Sequence, residues 1–155
     1  MTPAINQVKK AKIEFCLHEY DHDPNVRAFG KEASEKLGIP ADQIFKTLVV
    51  SAETQGLAIA VVPVSGHLDL KTFANVIGAK KAEMAEKKQV IRSTGYVTGG
   101  VSPIGQKKQL PTIIDTSALN FNTIFVSAGR RGLQIALSPE NLAVLTNAVF
   151  HGISK

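Results

Sequence analysis

"KTLVVSAETQGLAIAVVPV", residues 46–64, contains two apolar runs separated by a short polar segment. Residues 46–52 and 57–64 are rich in valine and other residues that favour strands. The intervening "ETQG" (53–56) combines polar residues with a glycine, which is typical of a turn. Two such runs at this spacing predict a β-hairpin, so the chain should contain an antiparallel pair of strands.

Helices and further strands are predicted on both sides of this hairpin. Apolar periodicity and capping residues predict helices at residues 3–12, 30–39, 67–78, 85–95 and 138–147. Strands are predicted at residues 13–20, 111–116, 122–129 and 133–137. Because helices and hairpins are interleaved, we predict an α/β (mixed α+β) fold in one domain, residues 1–155. Its mixed sheet should be largely antiparallel and surrounded by helices.

Composition and charge predict an ordinary globular domain with a basic surface. Hydrophobic residues make up 44% of the chain and charged residues 20%, and the net charge is +5. Several basic pairs favour an anionic partner such as nucleic acid, although solvated helix faces would explain the same charges. The longest apolar run, residues 57–64, is too short to span a bilayer. With no export signal visible, we expect a cytoplasmic protein without a membrane partner.

Two segments could carry metal or nucleophilic chemistry, and neither is favoured. "HEYDHD" (18–23) has two histidines four residues apart, but alternation places His18 in a strand and His22 in a loop. We therefore predict no metal and no cofactor. Cys16, the single cysteine, lies within the strand predicted at residues 13–20 and has no neighbouring base. In that strand Ile13, Phe15 and Leu17 should face inward. For Cys16 itself, its place in the middle of the strand and the lack of a nearby base lead us to expect a buried or half-buried, inert thiol.

"GYVTGGVSPIGQKKQ" (95–109) is the most glycine-rich stretch of the chain and leaves two interpretations open. It could be a plain turn. Its glycines could also let backbone N–H groups hold a carboxylate, a phosphate or a developing oxyanion. Lys46, at the start of the hairpin, is equally open, because its ammonium could reach solvent or bind a phosphate.

Three motifs in order resemble the YbaK/EbsC family, the free-standing relatives of the editing domain inserted in bacterial prolyl-tRNA synthetases. They are "FKTLVV" (45–50), "STGYVTGGVSPIGQKK" (93–108) and "VSAGRRGL" (126–133), and "TPAI", "YDHDP" and "ASEKLG" extend the resemblance across the chain. The resemblance implies a partly barrel-like sheet. It also implies trans-editing, the hydrolysis of cysteine from mischarged Cys-tRNA(Pro).

The resemblance further implies roles for individual residues. Lys46 matches the lysine on which activity depends, at the phosphate end of the tRNA acceptor. Gly99 and Pro103 match a Gly-x-x-x-Pro loop, and backbone amides from Gly99 and Gly100 onward would hold the ester carbonyl. The residues expected to contact substrate are Tyr20, Phe29, Thr47, Val101, Ser102, Pro103, Ser127 and Gln134. Gln134 departs from the family, whose members carry aspartate there, and this affects selectivity more than hydrolysis.

The expected mechanism combines positioning, oxyanion stabilisation and substrate-assisted chemistry. The nucleophile would be the substrate thiol or a water activated by a substrate hydroxyl. The partners would be the acceptor end of mischarged tRNA and prolyl-tRNA synthetase, and the sequence does not decide between a monomer and a weak dimer. Three alternatives remain: a deacylase of another tRNA such as Ala-tRNA(Pro), a non-catalytic tRNA- or nucleotide-binding module, and a metal hydrolase at residues 18–23.

Overall fold

The computed structural model describes residues 1–155 as five α-helices and eight β-strands. The helices are α1 (Pro3–Lys10), α2 (Phe29–Leu37), α3 (Leu70–Ile77), α4 (Lys87–Thr94) and α5 (Pro139–Thr146). The strands are β1 (Cys16–Glu19), β2 (Phe45–Ala52), β3 (Gly56–Pro63), β4 (Ala82–Met84), β5 (Thr112–Asp115), β6 (Ile124–Ser127), β7 (Leu133–Leu137) and β8 (Val149–His151). A 3₁₀ helix, Thr116–Asn120, follows β5. None of the helices is both long and apolar enough to cross a membrane.

The strands form two sheets, in the orders β4-β2-β3-β5-β8 and β1-β7-β6. The predicted hairpin is confirmed, because β2 and β3 are antiparallel over their full length. The pairs β3/β5 and β5/β8 are parallel and the remaining pairs antiparallel, which confirms a mixed, largely antiparallel architecture. An isolated bridge between Ile44 and Phe125 links the sheets, which do not close into a barrel.

Strand β2 contributes side chains to two apolar clusters, which explains its high content of β-branched residues. Phe45 and Val49 point into the larger cluster, between the sheets and helices α1 and α5. Val50 points to the opposite face of the sheet and joins the cluster around Phe73 of α3. Because both faces are covered, the hairpin is a rigid support for the side chains at its open end.

The first strand differs from its prediction in its length and in which of its side chains face the interior. It covers only Cys16–Glu19, and Leu17 is 43% exposed although it was expected inside. His18 is half-buried instead, with its ring 5.1 Å from that of Phe125. The side of β1 that faces the interior therefore carries His18 and not Leu17. The expectation that the Cys16 thiol is buried or half-buried is also wrong, because Cys16 is exposed.

Candidate functional site

A cavity of about 670 Å³ opens along the free edge of β2, a volume in the range of small-ligand sites. Strand β4 pairs only with residues 50–52 of β2, so residues 46–48 pair with β3 alone and leave the other edge open. The start of α2, the segment from β4 into α4, and the glycine-rich loop close the remaining sides. The cavity therefore lies beside residues 46–48 of β2, where this strand is not paired with β4.

Eight of the eleven residues expected at the site line this one cavity. They are Tyr20, Phe29, Lys46, Thr47, Gly99, Val101, Ser127 and Gln134. Gly100, Ser102 and Pro103 do not line it and are buried. The Ser102 hydroxyl accepts from the Ile104 amide at 3.2 Å and its carbonyl accepts from Gln106 Nε2 at 2.9 Å. These residues therefore build the loop behind the cavity wall, and the chemical roles expected for the set stay predictions.

Lys46 is a half-buried cation at the open end of the hairpin. Its Nζ donates to the carbonyl oxygen of Gly66 at 3.1 Å and makes no ion pair with a carboxylate. Burial lowers the pKa of its ammonium, because the charged form is partly desolvated. Lys46 thus presents a positive charge that no acidic side chain neutralises.

The glycine-rich loop is held in shape by a buried tyrosine. Tyr96 is 4% exposed and its hydroxyl donates to the Ile104 carbonyl at 2.7 Å, across the loop. The Tyr96 amide donates to Thr94 Oγ1 at 3.1 Å, which fixes the start of the loop at the end of α4. Burial raises the pKa of the Tyr96 phenol to about 12. The loop is thus an ordered wall of the cavity.

The tip of this loop packs against α2 and against the turn at residues 129–132. A Cβ on Gly99 would lie 2.7 Å from Arg131 Nε and 2.8 Å from Phe29 Cε2. Arg131 donates to the Thr98 carbonyl through Nε at 3.0 Å and Nη2 at 2.6 Å, and lies 4.7 Å from the centre of the Phe29 ring. A side chain at position 99 would therefore have to displace Arg131 or the Phe29 ring, and Arg131 connects the loop to α2.

Three residues of the loop that line the cavity have a backbone amide without an acceptor in the protein. The Gly100 amide donates to the Val97 carbonyl at 3.0 Å, so in this conformation it closes a turn. The amides of Thr98, Gly99 and Val101 donate to no acceptor in the protein, and all three residues line the cavity. Unoccupied backbone donors beside a cavity can bind a carbonyl or oxyanion. The carbonyl-binding role expected of the loop amides stays a prediction, and the Gly100 amide is the one that already has an acceptor.

Two further polar atoms at the cavity have no partner within the protein. Thr47 Oγ1 and Gln134 Oε1 are buried and make no hydrogen bond. Gln134 is 8% exposed and pairs with Ser127 in β6 and His18 in β1. Nearby, burial raises the pKa of the Tyr20 phenol. Because an unsatisfied buried polar atom costs about 1–3 kcal/mol, a hydrogen bond from a bound ligand or water to either atom would be stabilising.

All charged residues in the cavity lining are basic. Arg27, Lys31, Lys46 and Lys87 all line it, and no aspartate or glutamate does. None of the four forms an ion pair. Sequence reasoning missed three of them, because Arg27 and Lys31 lie in no motif and Lys87 was noted only as part of a basic pair. A lining of this kind favours an anionic ligand.

The histidine-rich segment at residues 18–23 serves a structural purpose. His22 Nδ1 lies 2.6 Å from Glu32 Oε1, the Asp23 amide donates to Glu32 Oε2 at 2.8 Å, and Lys36 Nζ lies 3.2 Å from that oxygen. Burial would raise the pKa of the Glu32 carboxyl, but these hydrogen bonds hold it below its ordinary value. They tie the loop to α2, and the chain contains no group of three or more potential ligand side chains placed to hold a metal.

Comparison with known proteins supports one family along most of the chain. Residues 23–145 match the family described as the aminoacyl-tRNA editing domain. A protein of Enterococcus faecalis, provisionally named Cys-tRNA(Pro)/Cys-tRNA(Cys) deacylase EbsC, is 40% identical over 153 residues, which are 99% of this chain and 93% of that protein. A proline–tRNA ligase of Shouchella clausii is 31% identical over 135 residues, 79% of this chain but only 24% of the ligase.

Solved structures support the fold. One described as a provisional trans-editing enzyme for prolyl-tRNA synthetase superposes with a TM-score of 0.82 at 23% identity, covering 100% of this chain and 99% of its own. A structure of a hypothetical protein gives a TM-score of 0.89 at 24% identity, covering 99% of this chain and 100% of its own. The chain belongs to the aminoacyl-tRNA editing domain family, in its YbaK/EbsC branch, as the resemblance of its motifs implied.

Proposed function

We propose that this chain is a trans-editing deacylase that removes cysteine from mischarged Cys-tRNA(Pro). The observation that carries the proposal is the composition of the cavity. It is lined by Lys46, by loop residues with unoccupied amides and by two residues with an unpartnered polar side-chain atom, and by no acidic residue. A protein that binds the aminoacylated end of a tRNA needs one group for the phosphate, one for the ester carbonyl and one for the amino acid. Similarity to EbsC of Enterococcus faecalis, at 40% identity, supports the same substrate class.

The phosphate end of the substrate would meet the cations. Lys46 would bind a phosphate next to the terminal adenosine, while Arg27, Lys31 and Lys87 would attract the neighbouring phosphodiesters. Phosphate contacts dominate nucleic-acid affinity and make it salt-dependent. Similarity to a segment of a proline–tRNA ligase supports tRNA(Pro) as the partner, and we propose that the chain acts beside that synthetase in the cytoplasm.

The ester carbonyl would be bound by the Gly99 and Val101 amides. Negative charge develops on this oxygen in the tetrahedral intermediate, and fixed N–H donors stabilise it there. Loss of one such donor typically costs about 100- to 1,000-fold in rate. Since Arg131 and Tyr96 hold the loop, its amides need no reorganisation when the substrate binds.

The amino-acid part would lie against Thr47 and Gln134, whose buried oxygen atoms have no protein partner. In the proposed step the cysteine sulfur attacks its own ester carbonyl carbon and the bond to the ribose oxygen breaks. The thiol proton passes to that oxygen, and the thiolactone released is then hydrolysed by water. No protein nucleophile is required, and Cys16, which is exposed and outside the cavity, takes no part.

Gln134 favours a second candidate, a deacylase with wider amino-acid selectivity that includes Ala-tRNA(Pro). Its neutral amide offers a hydrogen bond without a charge, so it cannot select a substrate by charge. A cavity of about 670 Å³ also excludes small side chains poorly, since one methylene contributes only about 1–3 kcal/mol of discrimination. Alanine has no thiol, so its release would need water activated by a substrate hydroxyl.

Deacylation of Cys-, Ala- and Pro-tRNA(Pro) by the wild-type chain tests the proposal. Fast release of cysteine with slow release of alanine and proline is the expected result. Comparable release of alanine would favour the wider selectivity. Salt-sensitive binding of tRNA without release of any amino acid would contradict the proposal and leave a binding module.

A further inference from the structure

The acceptor of Lys46 lies in a loop that another part of the chain holds in place. Lys46 Nζ donates to the Gly66 carbonyl at 3.1 Å, and Gly66 lies in the turn that follows β3. The Gly66 amide itself donates to the Pro63 carbonyl at 3.0 Å, which fixes only the near side of the turn. The far side, residues 67–69, has no neighbour in either sheet.

Residues 153–155 pair with this far side as a short antiparallel ladder. The Lys155 amide donates to the His67 carbonyl at 2.8 Å, and the His67 amide donates back to the Lys155 carbonyl at 3.0 Å. The Asp69 amide donates to the Ile153 carbonyl at 2.7 Å, and Leu68 forms a bridge with Ser154. Three successive residues after Gly66 are thus fixed by backbone pairing.

The ladder is itself anchored by a buried carboxylate at the end of β5. Asp115 is 3% exposed, and its Oδ1 accepts from the Ile153 amide at 2.8 Å and the Ser154 amide at 3.0 Å. Its Oδ2 accepts from the Ser117 amide at 3.2 Å. Hydrogen bonds to an ionised carboxylate are stronger than neutral ones, so Asp115 fixes residues 153 and 154 firmly.

We propose that Asp115 and residues 153–155 are positioning elements for Lys46. Asp115 fixes the ladder, the ladder fixes the turn, and the Gly66 carbonyl aims the Lys46 ammonium at the cavity where a substrate phosphate binds. This inference rests on the phosphate-binding role proposed for Lys46. It assigns a function to the backbone pairing of residues 153–155, which lie more than 100 positions from Lys46 in the sequence.

Lys155 offers a matched pair of variants for the test. Lys155→Pro removes the N–H that donates to His67, whereas Lys155→Ala keeps that N–H and removes only an exposed side chain. Ser154, the preceding residue, is in an extended bridge that a following proline tolerates. Affinity for uncharged tRNA(Pro), measured for each variant with and without Lys46→Ala, reports the position of the ammonium independently of hydrolysis.

We expect Lys155→Pro to weaken tRNA binding by about tenfold, the order of one lost charged hydrogen bond, and Lys155→Ala to stay within about twofold. In the Lys46→Ala background Lys155→Pro should cause no further loss, because the contact that it disturbs is already absent. The same tenfold loss in both backgrounds, or no loss in either, would overturn the inference.

Two further measurements keep the result interpretable. If Lys155→Pro does not fold, Asp115→Asn provides a milder disturbance of the same ladder, and the same non-additivity with Lys46→Ala is expected; additive effects would again overturn the inference. Failure of the proposed function would look different. In that case the wild-type chain would release no amino acid from any tRNA(Pro), while the coupling between Lys155 and Lys46 in tRNA affinity could still be observed.

Discussion

Gly99→Ala combines a conformational cost with a steric one at the centre of the proposed site. Gly99 has φ +84°, in the left-handed region, where an L-residue costs about 1–2 kcal/mol. A Cβ there would also lie 2.8 Å from the Phe29 ring and 2.7 Å from Arg131 Nε. Overpacking of this kind typically costs about 1–3 kcal/mol more.

Gly78→Ala is the matched control for the conformational cost. Gly78 has φ +80° and no atom within 4 Å of a built Cβ, so alanine there meets the backbone strain without the overlap. In both variants, lower entropy of the unfolded chain offsets about 0.4–1 kcal/mol. The two variants should therefore differ by about 1–3 kcal/mol in the free energy of unfolding, from the overlap at Gly99 alone.

Thermal unfolding and deacylation of Cys-tRNA(Pro) measure the two consequences. For a chain of 155 residues, 1 kcal/mol corresponds to about 2–4 °C in Tm. Gly99→Ala should also lose about 100-fold in rate, since a displacement of about 1 Å at a reacting group has that effect. Gly78→Ala should keep its rate. Equal stability of the two variants, with full activity of Gly99→Ala, would refute the packing argument.

Three further predictions concern the loop, the buried carboxylate and the rim. Tyr96→Phe leaves the buried Ile104 carbonyl without its donor and should cost about 1–3 kcal/mol in urea unfolding; an unchanged midpoint would contradict this. Burial would raise the pKa of the Asp115 carboxyl, but its hydrogen bonds hold that pKa below the ordinary value. The ionised carboxylate therefore stabilises the folded protein above the ordinary carboxyl pKa, and this stabilisation is lost as the pH falls through the folded pKa. Unfolding measured from pH 7 down to pH 3 should show this loss, and Asp115→Asn should flatten the profile; parallel profiles would contradict it. Lys87→Ala should reduce the salt slope of tRNA binding by about 0.7, and the exposed Lys80→Ala, outside the cavity, should not; equal slopes would remove Lys87 from the interface.

Much of the fold could be predicted because its signals are local. Thr2 and Ser138 accept from the Ile5 and Asn141 amides, as expected of N-cap residues. The hairpin was visible as two β-branched runs around a turn, residues 46–64. Each of these features depends on residues close together in sequence.

The features that could not be predicted depend on distant contacts. Strands β4 and β8 have three residues each, too few to show a periodicity. Leu17 is exposed, and it is His18 that packs inward, against Phe125, more than 100 positions away in the sequence. Motifs placed the glycine-rich loop near Lys46, but only the structure shows that the Gly100 amide is occupied by Val97.

Single-turnover release of cysteine from Cys-tRNA(Pro) by Lys46→Ala and Cys16→Ala tests the central claim most directly. Lys46 lines the cavity as an unpaired cation, whereas Cys16 is exposed and outside it. The account predicts that Lys46→Ala loses most of the rate and that Cys16→Ala keeps it, with both proteins folded. A folded but inactive Cys16→Ala protein, or an Lys46→Ala protein with the wild-type rate, would contradict it.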